Sequence, residues 1–268
     1  MALLILNILA RCPPSRDPFD LKAMHRLVEA TRLAYAARDA MVADPAADAD
    51  TALRMLSDAF ADDLARLILP DRARVPLPTF DTVEHKDTVY LCVVDRDRNA
   101  VSLINSIFFP YGSGLMSPRS GVLFHNRGQS LSLAAGHPNM VEPGKRPMHT
   151  IIPGMVAEGG RVVMPFGVMG GHCQAIGHAH LLSRLFDCDL DLQTAIDLPR
   201  LFPLLGTATV EAEEAMRLRL GKDLIKRGFT VQPPRAAMGG AQAIRIDWER
   251  GILIGASDGR KDGLALGR

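Results

Sequence analysis

The sequence lacks an excess of charge of either sign: 31 basic side chains stand against 30 acidic ones, a formal net charge of +1. Proteins that bind polyanions carry a marked basic surplus, because counterion release from phosphates drives the association, so a general nucleic-acid binder is excluded. Long hydrophobic runs are missing too. The apolar opening Met1 to Ala10 is far shorter than the roughly 20 residues of a bilayer span, and it has neither the basic start nor the small-residue cleavage site of a secretory leader. As written, the chain is expected in the cytoplasm with no membrane partner, or in the periplasm if its true N-terminus lies upstream. Cysteines are few. Cys12, Cys92, Cys173 and Cys188 show no CxxC spacing, so buried reduced thiols are expected rather than a zinc knuckle or a redox pair. No HExxH occurs, and His172 and His178 do not share the i, i+4 face of a helical zinc pair. Gly112-Ser113-Gly114 lacks the lysine and helix of a phosphate loop, so neither metal nor cofactor is expected.

What is present is the composition of a folded globule, 47% hydrophobic and 23% charged over 268 residues, which excludes disorder and collagen-like structure. Leu21, Met24, Leu27, Val28, Leu33 and Tyr35 recur at helical spacing between Asp20 and Asp44, and Pro45 stops them. Asp48 and Asp50 offer caps for a second helix with apolar positions from Leu53 to Leu67, ended by Pro70. Residues 72–86 read as an exposed linker, broken by Pro76 and Pro78. Thr88 to Phe109 predicts a hairpin about the polar turn Asp95 to Asn99, and Thr150 to Ala157 with Arg161 to Phe166 predicts a second about Gly159-Gly160. Another strand is predicted at Gly121 to His125. Beyond these come helices at His172–Phe186, Leu192–Leu198 and Glu213–Arg227, and strands at Ala208–Glu211, Phe229–Gln232, Gln242–Asp247 and Gly251–Ala256. Helices at both ends and hairpins in the middle suggest a layered α+β sandwich.

Two features carry chemistry. Thr88 stands where the linker meets an almost wholly apolar strand. A threonine hydroxyl is a weak nucleophile, but a chain break before it would free an α-amino group with a pKa near ~8 to act as its base. By position alone Thr88 also reads as a plain strand-opening threonine. The second feature is Phe166-Gly167-Val168-Met169-Gly170-Gly171-His172, a strand end with paired glycines before a helix. Such glycines let backbone approach a ligand, and N–H groups at a helix start can hold an oxyanion, although the same sequence also suits an ordinary strand-to-helix turn.

Taken together, Asp87-Thr88-Val89-Tyr90-Leu91-Cys92-Val93-Val94-Asp95 with Asn99-Ala100-Val101-Ser102, then Tyr111-Gly112-Ser113-Gly114, Pro143-Gly144-Lys145-Arg146-Pro147 and Met169-Gly170-Gly171 resemble γ-glutamyltranspeptidase, an N-terminal nucleophile hydrolase. Leu27-Val28-Glu29-Ala30 and the stretch Ala37 to Pro45 resemble the end of that family's large subunit. The resemblance implies a four-layer αββα sandwich lacking the front of the large subunit, with 1–87 the helical tail of that subunit plus linker and 88–268 the nucleophile-bearing region, together one incomplete domain. It implies a precursor that cuts itself before Thr88, whose hydroxyl then attacks an amide to form an acyl-enzyme. Ser106 falls where the family has a hydroxyl that hydrogen-bonds the nucleophile, and Gly170 and Gly171 where it has oxyanion-hole amides. The implied partners are a small amide or γ-glutamyl substrate and the chain's own cleavage fragment in a heterodimer, together with a missing large-subunit segment.

Departures from the pattern point to the substrate. Phe108 replaces an asparagine, Arg127-Gly128-Gln129-Ser130 replaces the acidic residues that hold a glutamyl ammonium, and His149-Thr150 replaces a serine pair that holds its carboxylate. Arg127, His149 and Thr150 are the candidate substrate contacts. A pocket that loses a carboxylate and gains Arg127 should bind a glutamyl amino group poorly, and Asn126-Arg127-Gly128, His137-Pro138-Asn139 and Arg146 to Thr150 look closer to the branch with oxamate amidohydrolase and related acylases. Two function classes stay open: an amide-hydrolysing or acyl-transferring enzyme, alone or with a separately encoded front half, and an inactive remnant or binding module. Without the front part, one side of the sheet should lose strands and expose apolar surface.

Overall fold

The computed structural model describes residues 1–46, 49–75, 77 and 87–267. The linker expected at 72–86 falls largely outside them. The chain forms two compact units, one from Met1–Glu84, Asn126–His149 and Pro199–Arg235, the other from His85–His125, Thr150–Leu198 and Ala236–Arg268.

In the first unit, helices α1 (Ala2–Leu9), α2 (Leu21–Met41), α3 (Thr51–Met55) and α4 (Asp58–Arg66) bury Leu4, Ile5, Ile8, Leu27, Val28 and Ala61 against one another. Helix α2 is capped by Asp20, whose Oδ1 accepts from Ala23 N at 2.7 Å; of the caps expected for the second helix, Asp50 stands at the start of α3 without a side-chain capping bond, and Asp48 lies outside the described residues. The single helix predicted up to Pro70 is instead two. Ser57 Oγ accepts from Phe60 N at 3.3 Å, so a serine cap restarts the helix after Leu56. Strands β5 (Leu201–Pro203), β6 (Thr209–Ala212) and β7 (Thr230–Gln232) form a small sheet, β5 antiparallel and β7 parallel to β6, and α7 (Glu214–Lys226) makes the crossover between β6 and β7. Strand β5 carries no sequence signal, since three buried residues are too few to show a period. Inside α2 a fully buried Glu29–Arg32 ion pair is completed by Arg32 Nε donating to Thr207 O at 2.8 Å and by Glu29 Oε2 accepting from Arg74 N at 3.0 Å. A buried charge pair survives only with its remaining hydrogen-bonding positions satisfied in this way.

The second unit begins with the predicted hairpin, β1 (Asp87–Val94) antiparallel to β2 (Ala100–Phe108). Its turn is closed by Asp95, whose carboxylate accepts from the backbone and the side chain of Asn99, each at 2.8 Å. Strands β3 (Gly154–Glu158), β4 (Arg161–Met169), β8 (Gly240–Asp247) and β9 (Ile252–Ser257) form an antiparallel sheet in the order β3-β4-β8-β9. Gly159 and Gly160 have φ of +55° and +78°, the left-handed pair that a tight hairpin turn needs. Two predicted strand limits move. Regular pairing in β3 starts at Gly154 rather than Thr150, because Pro153 has no N–H to give the ladder, and Gly121–His125 reduces to an isolated bridge between Met116 and Leu123.

Alternation along β4 defines the layers. Met164, Phe166 and Val168 point to a core shared with Leu181 and Leu185 of α5 (Cys173–Phe186) and Ala195 and Ile196 of α6 (Leu192–Asp197). On the opposite face Gly167 receives the Tyr90 ring; a Cβ there would lie 2.4 Å from it. The β1–β2 hairpin therefore stacks on β4 and β8 while α5 and α6 cover the far side. The C-terminal end of α6 is capped by arginines: Arg184 Nη1 donates to Ala195 O and Leu198 O, and Arg260 to the carbonyls of Ile196, Asp197 and Leu198.

Candidate functional site

Thr88, Ser106, Gly170, Gly171 and Thr150 all belong to the second unit, whereas Arg127 and His149 belong to the first. Thr88 sits at a β-bulge. Asp87 pairs with Phe108 and Val89 with Asn105, so one residue of β1 faces two of β2, Ser106 and Ile107. Because Val89 is exposed and Tyr90 buried, strand alternation turns the Thr88 side chain inward with Tyr90, towards β4. Its Oγ1 is buried and has no hydrogen-bond partner among the described residues. The expected hydrogen bond to Ser106 is not formed. Ser106 Oγ accepts instead from Phe108 N at 3.1 Å.

The donor of that bond has a strained backbone. Phe108 has φ of +85°, a region that costs a bulky side chain on the order of 1–3 kcal/mol, and its ring is 2% exposed and stacked on Phe109 at 5.1 Å. The sequence gives no sign of this conformation, because a phenylalanine ending an apolar strand would be read as extended.

Gly170 and Gly171 leave β4 with φ of +116° and +56°. At Gly170 a Cβ would lie 2.7 Å from Gly239 Cα, so the turn is pressed against the start of β8 and glycine is required. Within the turn the carbonyls of Gly170 and Gly171 accept from Cys173 N and Gln174 N, at 3.0 and 3.2 Å. The Tyr90–Gly167 contact ties the two halves of the site together: Thr88 is two residues from it along β1, and Gly170 three residues along β4, so each lies within about 10 Å of the same contact by strand rise alone.

Three side chains fix this turn, and sequence reading did not single out two of them. Fully buried Gln174 accepts through Oε1 from Ile152 N at 3.0 Å, which anchors the stretch beginning at Thr150 beside the first turn of α5. Asp258, also buried, accepts through Oδ2 from Ala241 N at 2.9 Å, and its own N–H donates to Ala241 O at 3.0 Å; it thus clasps the strand that begins at Gly240. His178 was considered as a metal ligand, but its Nε2 accepts from Val168 N at 3.2 Å. Its proton therefore lies on Nδ1, and burial pushes its pKa down to about 4. Among the described residues no three His, Cys, Asp or Glu side chains are grouped as metal ligands, and no helix is long and apolar enough to cross a membrane.

In the first unit, Arg127 is not a surface arginine: it is 1% exposed, and burial lowers its pKa. The neighbouring loop is pinned to α2 and the turn after it. His137 Nε2 donates to Asp39 O at 3.0 Å, and Arg146 grips Asp44 with its backbone N–H at 2.8 Å and its guanidinium at 2.9 and 3.1 Å, holding the Asp44 carboxyl well below the usual carboxylate range.

Comparison with known proteins places this arrangement. The glutathione hydrolase-like YwrD proenzyme of Bacillus subtilis is 35% identical over 99% of the chain, and the oxamate amidohydrolase proenzyme of Klebsiella pneumoniae 34% identical over all of it. Each alignment covers 51% of the relative, so the chain spans about half the length of the curated relatives it matches. Among solved structures, cephalosporin acylase from Bacillus halodurans superposes with a TM-score of 0.88 at 32% identity, covering 98% of this chain and 48% of that one. The fold is therefore that of the N-terminal nucleophile hydrolases. The family profile described as gamma-glutamyltranspeptidase matches residues 1–267, and the chain belongs to the γ-glutamyltranspeptidase family.

Proposed function

We propose that the chain carries the nucleophile-bearing part of a threonine amidohydrolase or acyltransferase that cleaves itself before Thr88. The observation that supports this most is the Thr88 hydroxyl: buried, inward-facing and without a hydrogen-bond partner among the described residues. Leaving a buried hydroxyl unpaired costs about 1–3 kcal/mol, which a fold tolerates where that group is needed for chemistry. After cleavage the free α-amine of Thr88 takes the proton of Oγ1, directly or through water, as Oγ1 attacks the substrate carbonyl. The amide N–H groups of Gly170 and Gly171 stabilise the oxyanion. The C–N bond breaks as the leaving nitrogen takes up that proton, and water or an amine then releases the acyl group from Thr88. Ser106 steadies the nucleophile once its hydroxyl turns from Phe108 N. The products of self-cleavage, 1–87 and 88–268, stay together as a heterodimer.

For the substrate, the reading favours a simple acyl or oxamate-like amide over a γ-glutamyl one. No acidic residue replaces the family's ammonium ligands at 127–130, and the relatives include an oxamate amidohydrolase and acylases. Arg127, His149 and Thr150 are the proposed substrate contacts, Thr150 positioned through Gln174. A second reading is favoured by the coverage of only half of each relative: turnover requires the remaining length of those relatives as well as the region matched here.

An intact mass spectrum after a day's incubation tests the main reading without a guess at the substrate. Two fragments broken between Asp87 and Thr88 are expected, and Thr88→Ala should remain whole. Residues 1–268 that stay uncut remove self-cleavage by this region alone and leave the second reading; cleavage in Thr88→Ala removes Thr88 as nucleophile.

A further inference from the structure

The motif His137-Pro138-Asn139 takes no part in the bond-making steps above, yet it belongs to a chain of hydrogen bonds that ends on a candidate substrate contact. His137 Nδ1 accepts from Asn139 N at 3.0 Å, so the ring proton lies on Nε2, which donates to Asp39 O of α2 at 3.0 Å. Asn139 Nδ2 donates in turn to Ser130 O at 2.6 Å, and Ser130 Oγ to Arg127 O at 2.8 Å. The relay thus runs without a gap from the backbone of a 21-residue helix to the backbone of Arg127, all of it inside the first unit. Asn139 is 5% exposed and Arg127 1%. An exposed arginine can swing on its flexible stem to reach water. A buried guanidinium stands where its backbone puts it, and its desolvation works to pull it out if that backbone is loosely held.

We infer that His137, Asn139 and Ser130 are positioning residues for Arg127, holding its guanidinium to recognise an amide whose acyl part bears a carboxylate. The planar guanidinium pairs bidentately with a carboxylate and gains no such bond from an uncharged acyl group. The relay therefore sets selectivity among the amides proposed above, and acts on substrate binding more than on bond cleavage. The inference rests on the reading of Arg127 as a substrate contact. The rest of the loop is held by other bonds: Ser132 N donates to Asn139 O and Val141 N to Ser132 O, at 2.8 and 2.9 Å, and Arg146 grips Asp44. What the Asn139 side chain and the Ser130 hydroxyl add to these is the hold on residue 127.

Ammonia release from oxamate, which carries a carboxylate, and from acetamide, which carries none, gives KM and kcat for each. Asn139→Ala cuts the relay at Ser130 O, and Ser130→Ala keeps that bond and cuts only the last one. Both are expected to raise KM for oxamate about tenfold more than KM for acetamide, as a small displacement of a binding group does, and to move the two kcat values alike. Loosening of the loop without a role in recognition would move both KM values together. His137→Ala combined with Asn139→Ala should cost no more than the larger single change, because one relay is cut twice. A readout that needs no turnover is the rate at which phenylglyoxal modifies each arginine, mapped by peptide mass spectrometry; in a preparation without activity it decides alone. Arg127 should be protected in the wild type and react about tenfold faster in both single variants. Arg96, with a 93% exposed side chain, sets the scale, and Arg32, with a 1% exposed one, reports that the first unit stays folded. Ser130→Ala, which removes a single oxygen, decides if Asn139→Ala exposes Arg32 as well. An unchanged oxamate-to-acetamide ratio in Arg127→Met overturns the substrate reading beneath the inference. A ratio altered there but in neither relay variant overturns the inference alone, and so does an Arg127 as well protected in those variants as in the wild type.

Discussion

Replacing Gly170 by alanine probes the point where backbone geometry and proposed chemistry meet. At φ of +116° an L-residue is strained by about 1–3 kcal/mol. The new Cβ would also lie 2.7 Å from Gly239 Cα and 3.1 Å from Gly239 N, and because these are backbone atoms of the strand clasped by Asp258, relief requires β8 to shift, a further cost of about 1–3 kcal/mol. The sum, roughly 4 kcal/mol, is a large fraction of the 5–15 kcal/mol that holds a typical domain together. Urea unfolding followed by the fluorescence of Trp248, the chain's one tryptophan, reads it directly. With a slope of about 2 kcal/mol per molar the midpoint should fall by roughly 2 M. Gly114→Ala is the matched control: φ is +72° and no atom lies within 4 Å of the added Cβ, so only the backbone term remains, about 1 kcal/mol or ~0.5 M. Equal midpoints for the two variants would refute the close packing of this turn on β8. Self-cleavage should also be slowed in Gly170→Ala, by on the order of 10² or more if an oxyanion donor is displaced.

Two further outcomes are expected. His178 has its pKa pushed from 6.5 to about 4 by burial, so as pH falls the unfolded chain takes up this proton first; stability is complete above about pH 6.5 and declines towards pH 4 by about 3 kcal/mol from this group. His178→Gln should lose that part of the slope in pH-dependent urea unfolding, and an unchanged slope would show that the Val168 N bond does not hold the imidazole neutral. On substrates, an active preparation should hydrolyse γ-glutamyl-p-nitroanilide more slowly than simple acyl or oxamate-like amides; a strong preference for the γ-glutamyl compound would place an ammonium ligand in the site that the sequence does not supply.

Much of the secondary structure was legible because its signals are local. Asp20 and Pro45 bracket α2, the Asp95–Asn99 turn folds β1 onto β2, and the paired glycines at 159–160 close the second hairpin. Where reading failed, a competing local or tertiary influence won: the Ser57 cap split a long apolar pattern, Pro153 delayed β3, and β5 is too short to show a period. The family likewise was legible from ordered motifs, and it is the resemblance that singled out Thr88, Ser106, Gly170 and Gly171 as candidates. The environment of those residues was not. A Thr88 Oγ1 without a hydrogen-bond partner among the described residues, Ser106 engaged by Phe108 N, and a buried Arg127 depend on which neighbours the folded chain brings up.

The sequence by itself determined most of the elements, the strand that carries Thr88, and the glycine turn after β4, because caps, turn residues and period-two or helical patterns act over a few residues. Only the tertiary structure decided that Gly170 must be glycine because Gly239 lies against it, and that Asp258, Gln174 and His178 brace the turn. The same holds for one face of the β1–β2 hairpin being core while the other stays bare. Each of these is a contact between segments distant along the chain. Alternation makes two faces of a strand equally apolar on paper, and only packing tells which of them has found a partner.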